Sequence, residues 1–491
     1  MTPPEAPRHS IGVVSDRRFS IGGAPGRTEW LWLGLILLLY TLAAAVIIKG
    51  GGPLGHDEAV YALRGRDFHD GTSPGAYWDD YRAPGLPWLL RVMWPLGSTA
   101  PYLRLVSVGF MLLLILVTWL LARALFGPTA GLAAAGGLAA TPFLVEASSQ
   151  VWPDVPGAAL GLAAIAMLVF STSGDRTSWW VLAAPVLVAG ATYLRFGAPM
   201  QLVVGLAAVG LWRWRVVARD PFPTGIAAVL SAAAVWVILN VPEATGSTLA
   251  PLDSIGGRRR QWLEGFADYL GDSGRIVGTV AGFLLAAGVV LLIVRLARGD
   301  VRRDTGFLVL GAGAATFAVT AGVLHGELRY LSPTMPWAWI AAGAGLAGAV
   351  RWVPRSAAPW LAAVMAVTLL VSAVREGDDV GEFNAEQFNA IVDASEAVGD
   401  LAGDRSCGVV TGFIPQVAWY SGCATDGYDL QRVTYPEGMV RASDVVYLLW
   451  AQEGKRQPDA ALWEDYVDSS HGLVHREEGR RIVEVYLAGT G

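Results

Sequence analysis

Charged residues and cysteine are both scarce in this chain. Only 16% of its 491 residues are Asp, Glu, Lys or Arg, the only lysines are Lys49 and Lys455, and there are two cysteines. No basic patch interleaved with aromatic residues is present, so we expect no nucleic-acid partner. The two cysteines are too far apart in the sequence to form the closely spaced pair that binds a metal ion, so we expect no cysteine-based metal site.

Long apolar runs occur where charge is missing. Hydrophobic residues make up 53% of the chain, and ~20 consecutive apolar residues cross a bilayer. We therefore predict an α-helical polytopic membrane protein with about eleven transmembrane helices, in which the Ala/Gly-rich stretch 131–137 lets helices pack closely. The predicted spans are 30–48, 102–122, 128–145, 155–171, 179–194, 199–214, 224–241, 276–296, 306–324, 334–350 and 357–374.

Arginines mark one side of the predicted membrane domain. They precede the first span, and others, including Arg215 and Arg298, follow the sixth and the eighth, so the positive-inside rule places them in the cytoplasm. The first apolar run is too long for a cleaved signal peptide and is interpreted as a retained anchor in the plasma membrane. The prediction divides the chain into a cytoplasmic tail (1–28), a transmembrane domain (29–374) and a soluble extracytoplasmic domain (375–491).

The C-terminal region has the composition of a small soluble α/β domain. Its predicted elements are a helix at 384–402 and strands at Cys407–Thr411, Val445–Trp450 and Ile482–Leu487. Because the region is predicted to lie outside the cytoplasm, a disulfide between Cys407 and Cys423 is favoured over two separate buried thiols. The domain would recognise the acceptor or a partner, or else act as a stabilising cap on the outer loops.

An acidic pair, Asp57-Glu58, follows the first span directly. Charge beside the hydrocarbon is costly unless something uses it, so the pair is a candidate functional site. Asp57, Tyr61, Arg64 and Phe68 follow at helical spacing and would share one helix face. The alternative is that the two acids only cap the start of that helix.

Two other outer segments have the character of interfacial helices. Residues Trp78–Leu90 form a polar turn that opens into an amphipathic stretch with two tryptophans. The segment 242–275, with three arginines at 258–260 and Trp262, is long enough for another such helix. Its arginines would bind anionic headgroups or an acceptor glycan.

Several motifs lie on the predicted outer face: Asp57-Glu58 with Tyr61, Arg82-Ala83-Pro84-Gly85-Leu86-Pro87, Pro142 through Asp154, Tyr193-Leu194-Arg195, and Glu327-Leu328-Arg329-Tyr330-Leu331-Ser332-Pro333 with Pro336. In this order they resemble one family, the GT-C superfamily of polyprenyl-phosphate-dependent glycosyltransferases, in its protein mannosyltransferase and aminoarabinose transferase branch. The resemblance implies a GT-C-like fold whose catalytic domain is 29–374. The chain departs from the family pattern at two places. Its basic-Pro-Pro segment reads Arg82-Ala83-Pro84-Gly85, and Arg195 stands where lysine is usual.

The resemblance implies transfer of a sugar from a lipid phosphate to an acceptor hydroxyl, with inversion. One group must take a proton while others hold the developing negative charge. Asp57 matches the family's catalytic aspartate and is the candidate general base. Glu58 would orient it, bind sugar hydroxyls or help hold a cation, and Tyr61 and Arg64 would contact substrate. Asp154 matches a second acidic position that supports the acceptor or a divalent cation (Mg²⁺ or Mn²⁺), or else caps its helix.

Three arginines form the candidate phosphate-binding group. Arg82, Arg195 and Arg329 lie at predicted outer helix ends, and guanidinium groups bind phosphate oxygens bidentately. The alternative is that they extend to ordinary lipid headgroups. His325 and Tyr330 flank Arg329 and would hydrogen-bond the phosphate or the sugar.

Two other classes of protein are compatible with this pattern. A transporter or flippase of a lipid-linked anion would explain many spans, although such proteins place charge near the bilayer midplane. A silent membrane scaffold would leave the arginines without a purpose. The expected partners are therefore a polyprenyl-phosphate sugar donor, membrane lipids, and a cell-wall glycan, lipid or protein acceptor.

Overall fold

The computed structural model consists of two parts, a bundle of helices and a C-terminal α/β domain, and it describes most residues of each. The described residues are 24–78, 82–241, 278–323, 327–349, 385–452, 457–478 and 481–488, with isolated positions between 267 and 276 and between 371 and 382. Most of the predicted tail 1–28 and nearly all of the predicted span 357–374 lie outside them.

Helices occur at each of the other ten predicted spans. Within the described ranges, six helices are long and apolar enough to cross a membrane, or seven if one bent pair counts as a single span. This agrees with a multi-pass membrane protein, while the count of eleven stays a prediction. In chain order the helices are α1 (Arg27–Gly50), α2 (His56–Asp70), α3 (Gly85–Met93), α4 (Ala100–Phe126), α5 (Pro128–Ala139), α6 (Pro142–Ser148), α7 (Asp154–Ser171), α8 (Ala184–Leu194), α9 (Ala198–Trp212), α10 (Trp214–Arg219), α11 (Pro221–Asn240), α12 (Thr279–Arg298), α13 (Arg303–Val323) and α14 (Met335–Ala349).

The third predicted span, 128–145, is broken where the sequence suggested one helix. Helices α5 and α6 meet at an angle of 66°. Thr141 between them is extended (φ −78°, ψ 111°), and Pro142 has no N–H to continue the hydrogen-bonding of α5. The break turns the chain sharply just ahead of the loop that leads to Asp154.

Small residues bring the helices into close contact, as the stretch 131–137 predicted. A Cβ atom on Gly137 would collide with the ring of Trp339, and one on Gly131 would lie 3.0 Å from the carbonyl oxygen of Trp119. Gly136 differs, because the nearest atom to its added Cβ is 3.9 Å away. Two of the three glycines are therefore required by packing.

Charged side chains mark the two ends of the bundle. At one end, Arg123 pairs with Glu29 at 2.7 Å, and Arg213 donates to the carbonyl oxygens of the loop after α7. At the other end, the first turns of α2 and α7 meet the segments before α3, α9 and α14. The alternation agrees with the prediction that the motif-bearing loops share one face.

The C-terminal domain is a five-stranded sheet with helices. Its strand order is β2-β1-β3-β5-β4, with β1 parallel to β2 and β3, and β5 antiparallel to β3 and β4. The sequence of strand β3 is a continuous apolar run because its residues are buried on both faces of the sheet. The elements are α15 (385–402), β1 (Cys407–Thr411), α16 (Ile414–Ser421), β2 (Ala424–Asp426), α17 (Glu437–Ala442), β3 (Val445–Ala451), α18 (Ala460–Asp468), β4 (Ser470–Glu478) and β5 (Ile482–Ala488).

A disulfide joins Cys407 and Cys423, across a sequence separation of 16 residues that includes α16. Closing a loop of this length restricts the unfolded chain and is worth about 3 kcal/mol. Replacing both cysteines by serine should therefore lower the thermal midpoint of the C-terminal domain, measured by calorimetry. Reductant should lower the midpoint of the wild type and leave that of the double variant unchanged; equal midpoints without reductant would contradict the prediction.

Candidate active site

Asp57 lies in the first turn of α2 between two guanidinium groups. Arg82 donates from Nη1 to Oδ1 at 2.9 Å, and Arg329 donates from Nη2 to Oδ2 at 2.7 Å. Burial opposes ionisation of Asp57, but the charges of Arg329 and Arg82 outweigh it and hold its pKa at about 2, below the usual value. The carboxylate retains 26% of its exposure, so a ligand can still reach it.

The interpretation of Asp57 as a helix cap is not supported. The N-cap residue of α2 is Gly55, and its backbone N–H donates to Oε2 of Glu58 at 3.1 Å. Glu58 therefore makes the capping contact, and the Asp57 carboxylate binds arginine instead. Asp154 likewise begins α7 without a side-chain capping hydrogen bond.

Arg329 connects the acidic groups of the site. Besides Asp57, it lies 3.7 Å from Oδ2 of Asp154 and forms an ion pair with Glu327, and its guanidinium stacks on the Trp152 ring at 4.6 Å. Burial disfavours its charge, but these three carboxylates outweigh burial and raise the pKa of Arg329. Glu327 is half exposed, and its part in the site was not predicted.

Arg195 completes the cluster from the end of α8. Its Nη1 lies 2.8 Å from Oδ1 of the buried Asp154, and its guanidinium stands over the ring of Tyr330 at 4.7 Å. The structure thus brings together all three arginines of the predicted phosphate-binding group. They are neutralised in this state by three carboxylates, those of Asp57, Asp154 and Glu327.

A close backbone contact holds the loop of Arg82 in place. A Cβ atom on Gly85 would lie 2.5 Å from the carbonyl oxygen of Tyr193, so only glycine fits at the start of α3. This contact sets the Arg82 loop directly beside the end of α8, two residues before Arg195. Gly85, in the altered basic-Pro-Pro segment, is therefore required by packing.

Glu58 does not face the site, in contrast to its predicted catalytic role. It is fully buried, and Arg104 binds both of its carboxylate oxygens at 2.9 Å. The N–H of Val151 also donates to it at 3.0 Å. With its oxygens occupied, Glu58 ties α2 to α4 and to the loop before α7, which is a positioning role.

Arg104 was missed by the sequence analysis. It lies in the first turns of the second apolar span, where an ionisable residue is itself a signal of function. Its guanidinium also donates to the carbonyl oxygens of Gly52 and Pro53, both at 3.3 Å. Arg104 therefore fixes the backbone ahead of Asp57 as well as Glu58.

The two predicted substrate contacts on α2 have different surroundings. Tyr61 is buried, with its ring 5.8 Å from the Arg82 guanidinium. Arg64 is also buried, but it stacks on Phe68 at 4.0 Å and lies 3.9 Å from Asp67. Arg64 therefore packs along the far turns of α2, and its contact with substrate stays a prediction.

A cavity of about 550 Å³ opens beside Arg329. It has aromatic walls, acidic side chains and one guanidinium, a combination that suits a hydroxylated ring such as a sugar. The lining side chains with this character are those of Phe143, Glu146, Trp152, Tyr269, Asp272, Glu327 and Arg329. Of these, only Arg329 had been predicted as a site residue.

A divalent cation does not fit the described residues. No group of three or more His, Cys, Asp or Glu side chains in the described part of the chain is arranged to hold a metal ion. Glu58 and Asp154, the residues predicted to help hold a cation, already bind guanidinium groups. His325 and the arginines at 258–260 lie outside the described residues.

Known proteins are similar to this chain in fold and, over part of its length, in sequence. Residues 81–239 match a family model described as dolichyl-phosphate-mannose-protein mannosyltransferase. ArnT from Cupriavidus metallidurans, solved bound to undecaprenyl phosphate, has a TM-score of 0.65 and 16% identity, with 94% of this chain and 98% of that chain covered. AglB, the archaeal oligosaccharyltransferase from Archaeoglobus fulgidus, solved with an inhibitory peptide and a dolichol-phosphate, has a TM-score of 0.53 and 13% identity, with 87% and 70% covered.

These matches confirm the resemblance, predicted from the sequence, to the GT-C superfamily of polyprenyl-phosphate-dependent glycosyltransferases. At such low identity the structural matches establish the fold alone. The segment matched by the family model contains Arg82, Asp154 and Arg195, while Asp57 and Arg329 lie outside it. No curated protein sequence matches the chain significantly.

Proposed function

We propose that this protein is an integral membrane glycosyltransferase that transfers a sugar from a polyprenyl-phosphate donor to an acceptor hydroxyl on the extracytoplasmic side. The observation that supports this is the placement of Asp57 between Arg82 and Arg329, of which Arg329 also lines a cavity that suits a sugar. The site thus has a partly exposed carboxylate to accept a proton and guanidinium groups to bind phosphate oxygens.

The reaction would proceed as a displacement at the anomeric carbon. The acceptor oxygen forms a bond to that carbon and loses its proton to an Oδ atom of Asp57. The bond from the anomeric carbon to the phosphate oxygen breaks, and its electron pair stays on the phosphate. Arg82, Arg195 and Arg329 would hold the added negative charge, and attack opposite the leaving phosphate would invert the configuration.

Donor binding would change the state of Asp57. Each guanidinium on Asp57 is one that the donor phosphate would bind, so the phosphate competes with the carboxylate. A carboxylate that loses these charges becomes a stronger base. Binding of the donor would therefore prepare the proton acceptor for the transfer.

The transporter alternative is less compatible with the geometry. A transporter places its charged groups near the bilayer midplane, where two half-structures alternate. Among the described residues, the cluster around Asp57 lies where helices meet loops. This arrangement suits chemistry at the membrane surface.

Transfer from defined donors tests the proposal. Purified protein would be incubated with a panel of radiolabelled polyprenyl-phosphate sugars and with membrane acceptors, and the label in the acceptor fraction would be counted. We expect transfer from one donor of the panel. Uptake of a lipid-linked anion into vesicles without any transfer would instead support the transporter.

The pH dependence of the reaction should differ between kcat/KM and kcat. The free enzyme holds the pKa of Asp57 at about 2, below its usual value, and kcat/KM reports free-enzyme pKa values. We expect no acid limb from Asp57 in kcat/KM above ~pH 4. In the donor complex the arginines bind phosphate, so kcat should lose activity at a higher pH as Asp57 is protonated. An acid limb at the same pH in both would contradict this charge exchange.

A further inference from the structure

The C-terminal domain packs directly on the helix that carries Asp57. Helix α16 places Ile414 and Ala418, one helical turn apart, against Val60 and Leu63 of α2 in a shared apolar cluster. All four side chains are buried. The contact therefore fixes one face of α2 from outside the membrane bundle.

Aromatic contacts extend this interface along the first outer loop. The ring of Trp419 meets that of Trp94 edge-on at 6.0 Å, and the guanidinium of Arg66 lies 5.9 Å from the Trp419 ring. Trp419 thus contacts both the end of α2 and the turn that follows α3. These contacts join the C-terminal domain to two elements of the loop.

One polar contact reaches the segment just ahead of Asp57. The N–H of Leu54 donates to the hydroxyl oxygen of Tyr420 at 2.7 Å. Leu54 is itself fully buried, and an N–H buried without an acceptor would be costly. Tyr420 is the acceptor, and it comes from the other domain.

The same segment is held at each consecutive residue. Arg104 binds the carbonyl oxygens of residues 52 and 53, Tyr420 binds the N–H of residue 54, and Glu58 binds the N–H of residue 55. Three of these four anchors come from the bundle itself. The anchor from Tyr420 lies only three residues before Asp57.

We propose that Tyr420 is a positioning residue, through which the C-terminal domain sets the place of Asp57. The inference rests on the proposed function and adds a role for a domain that otherwise lies beside the chemistry. The Tyr420 hydroxyl fixes the backbone at Leu54, and this backbone leads directly into the first turn of α2. A small displacement of a reacting group is enough to slow a reaction substantially.

The test is the variant Tyr420→Phe, which keeps the ring and removes the hydroxyl. We expect kcat to fall about tenfold, with the KM for the donor within about twofold, because the arginines that bind phosphate are untouched. Deuterium uptake in a peptide covering residues 50–58 should become faster. Tyr435→Phe is the matched control, since the Tyr435 hydroxyl hydrogen-bonds to Ser469 within the C-terminal domain itself, and it should change neither readout.

Two outcomes would overturn the proposal. If kcat stays at the wild-type value, the contact positions nothing, whatever the exchange shows. If kcat falls without faster exchange in residues 50–58, the loss does not pass through this backbone. A wild-type protein that is inactive with every donor would count against the proposed function, and the exchange measurement would still show whether Tyr420 holds the segment.

Discussion

Replacing Asp57 by asparagine should reduce sugar transfer by about 10²- to 10⁴-fold, the range that a positioned general base contributes. Asparagine has nearly the same shape, but it cannot accept the acceptor's proton. It also removes the charge that holds Arg82 and Arg329 in place, and the freed guanidinium groups should bind the donor phosphate at least as well as before. The expected signature is therefore a loss in kcat with a KM for the donor that is unchanged or lower, measured by initial rates at equal protein concentration.

Asp67→Asn provides the matched control for that measurement. Asp67 also lies on α2 and is buried near Arg64. Burial raises its pKa to about 6, so loss of its charge costs little at neutral pH. We expect this variant to keep transfer within about threefold of the wild type. Wild-type rates in Asp57→Asn, or an equal loss in both variants, would exclude Asp57 as the base.

Replacing Arg104 by methionine should lower the free energy of unfolding by about 3–5 kcal/mol, because it leaves the fully buried Glu58 carboxylate without its cation. Methionine fills much of the same volume, so the loss would reflect charge and not a cavity. The measurement is the midpoint of thermal unfolding in detergent.

A second substitution separates charge from packing. In the double variant Arg104→Met with Glu58→Gln, the buried charge is gone, and most of the lost stability should return. Arg302→Met is the control, since Arg302 forms an exposed pair with Asp304 and exposed pairs contribute about 0–1 kcal/mol. A double variant no more stable than Arg104→Met alone would show that the ion pair is not the source of the effect.

The helices of the membrane part could be predicted because each one buries or exposes a long apolar surface. Runs such as those of α1 and α4 leave little alternative to a helix in a bilayer. The break between α5 and α6 was harder to see, because the flanking residues are apolar on both sides of Pro142. In the C-terminal domain, β1, β3 and β5 were predicted from apolar runs, whereas β4 was not, because most of its residues are exposed and polar.

The members of the site could be identified from the sequence, but their pairing could not. Asp57 and Arg329 are separated by 272 residues, and no local pattern indicates that they share a hydrogen bond. The same limit explains why Glu58 was assigned to catalysis. Its neighbour in sequence is exposed to ligand, while Glu58 points to the opposite side of the first helical turn and meets Arg104 there.

The balance of three guanidinium groups and three carboxylates has a consequence for how the enzyme would return to its starting state. A donor phosphodiester carries one negative charge, while the phosphate monoester that remains after transfer carries about −1.5 to −2 at neutral pH. The additional charge equals the one that Asp57 loses when it takes the proton. Departure of the lipid phosphate would therefore leave the arginines with one positive charge unbalanced until Asp57 gives up its proton. Proton loss and product release would thus be linked. Turnover would slow if the proton on Asp57 had no path to water.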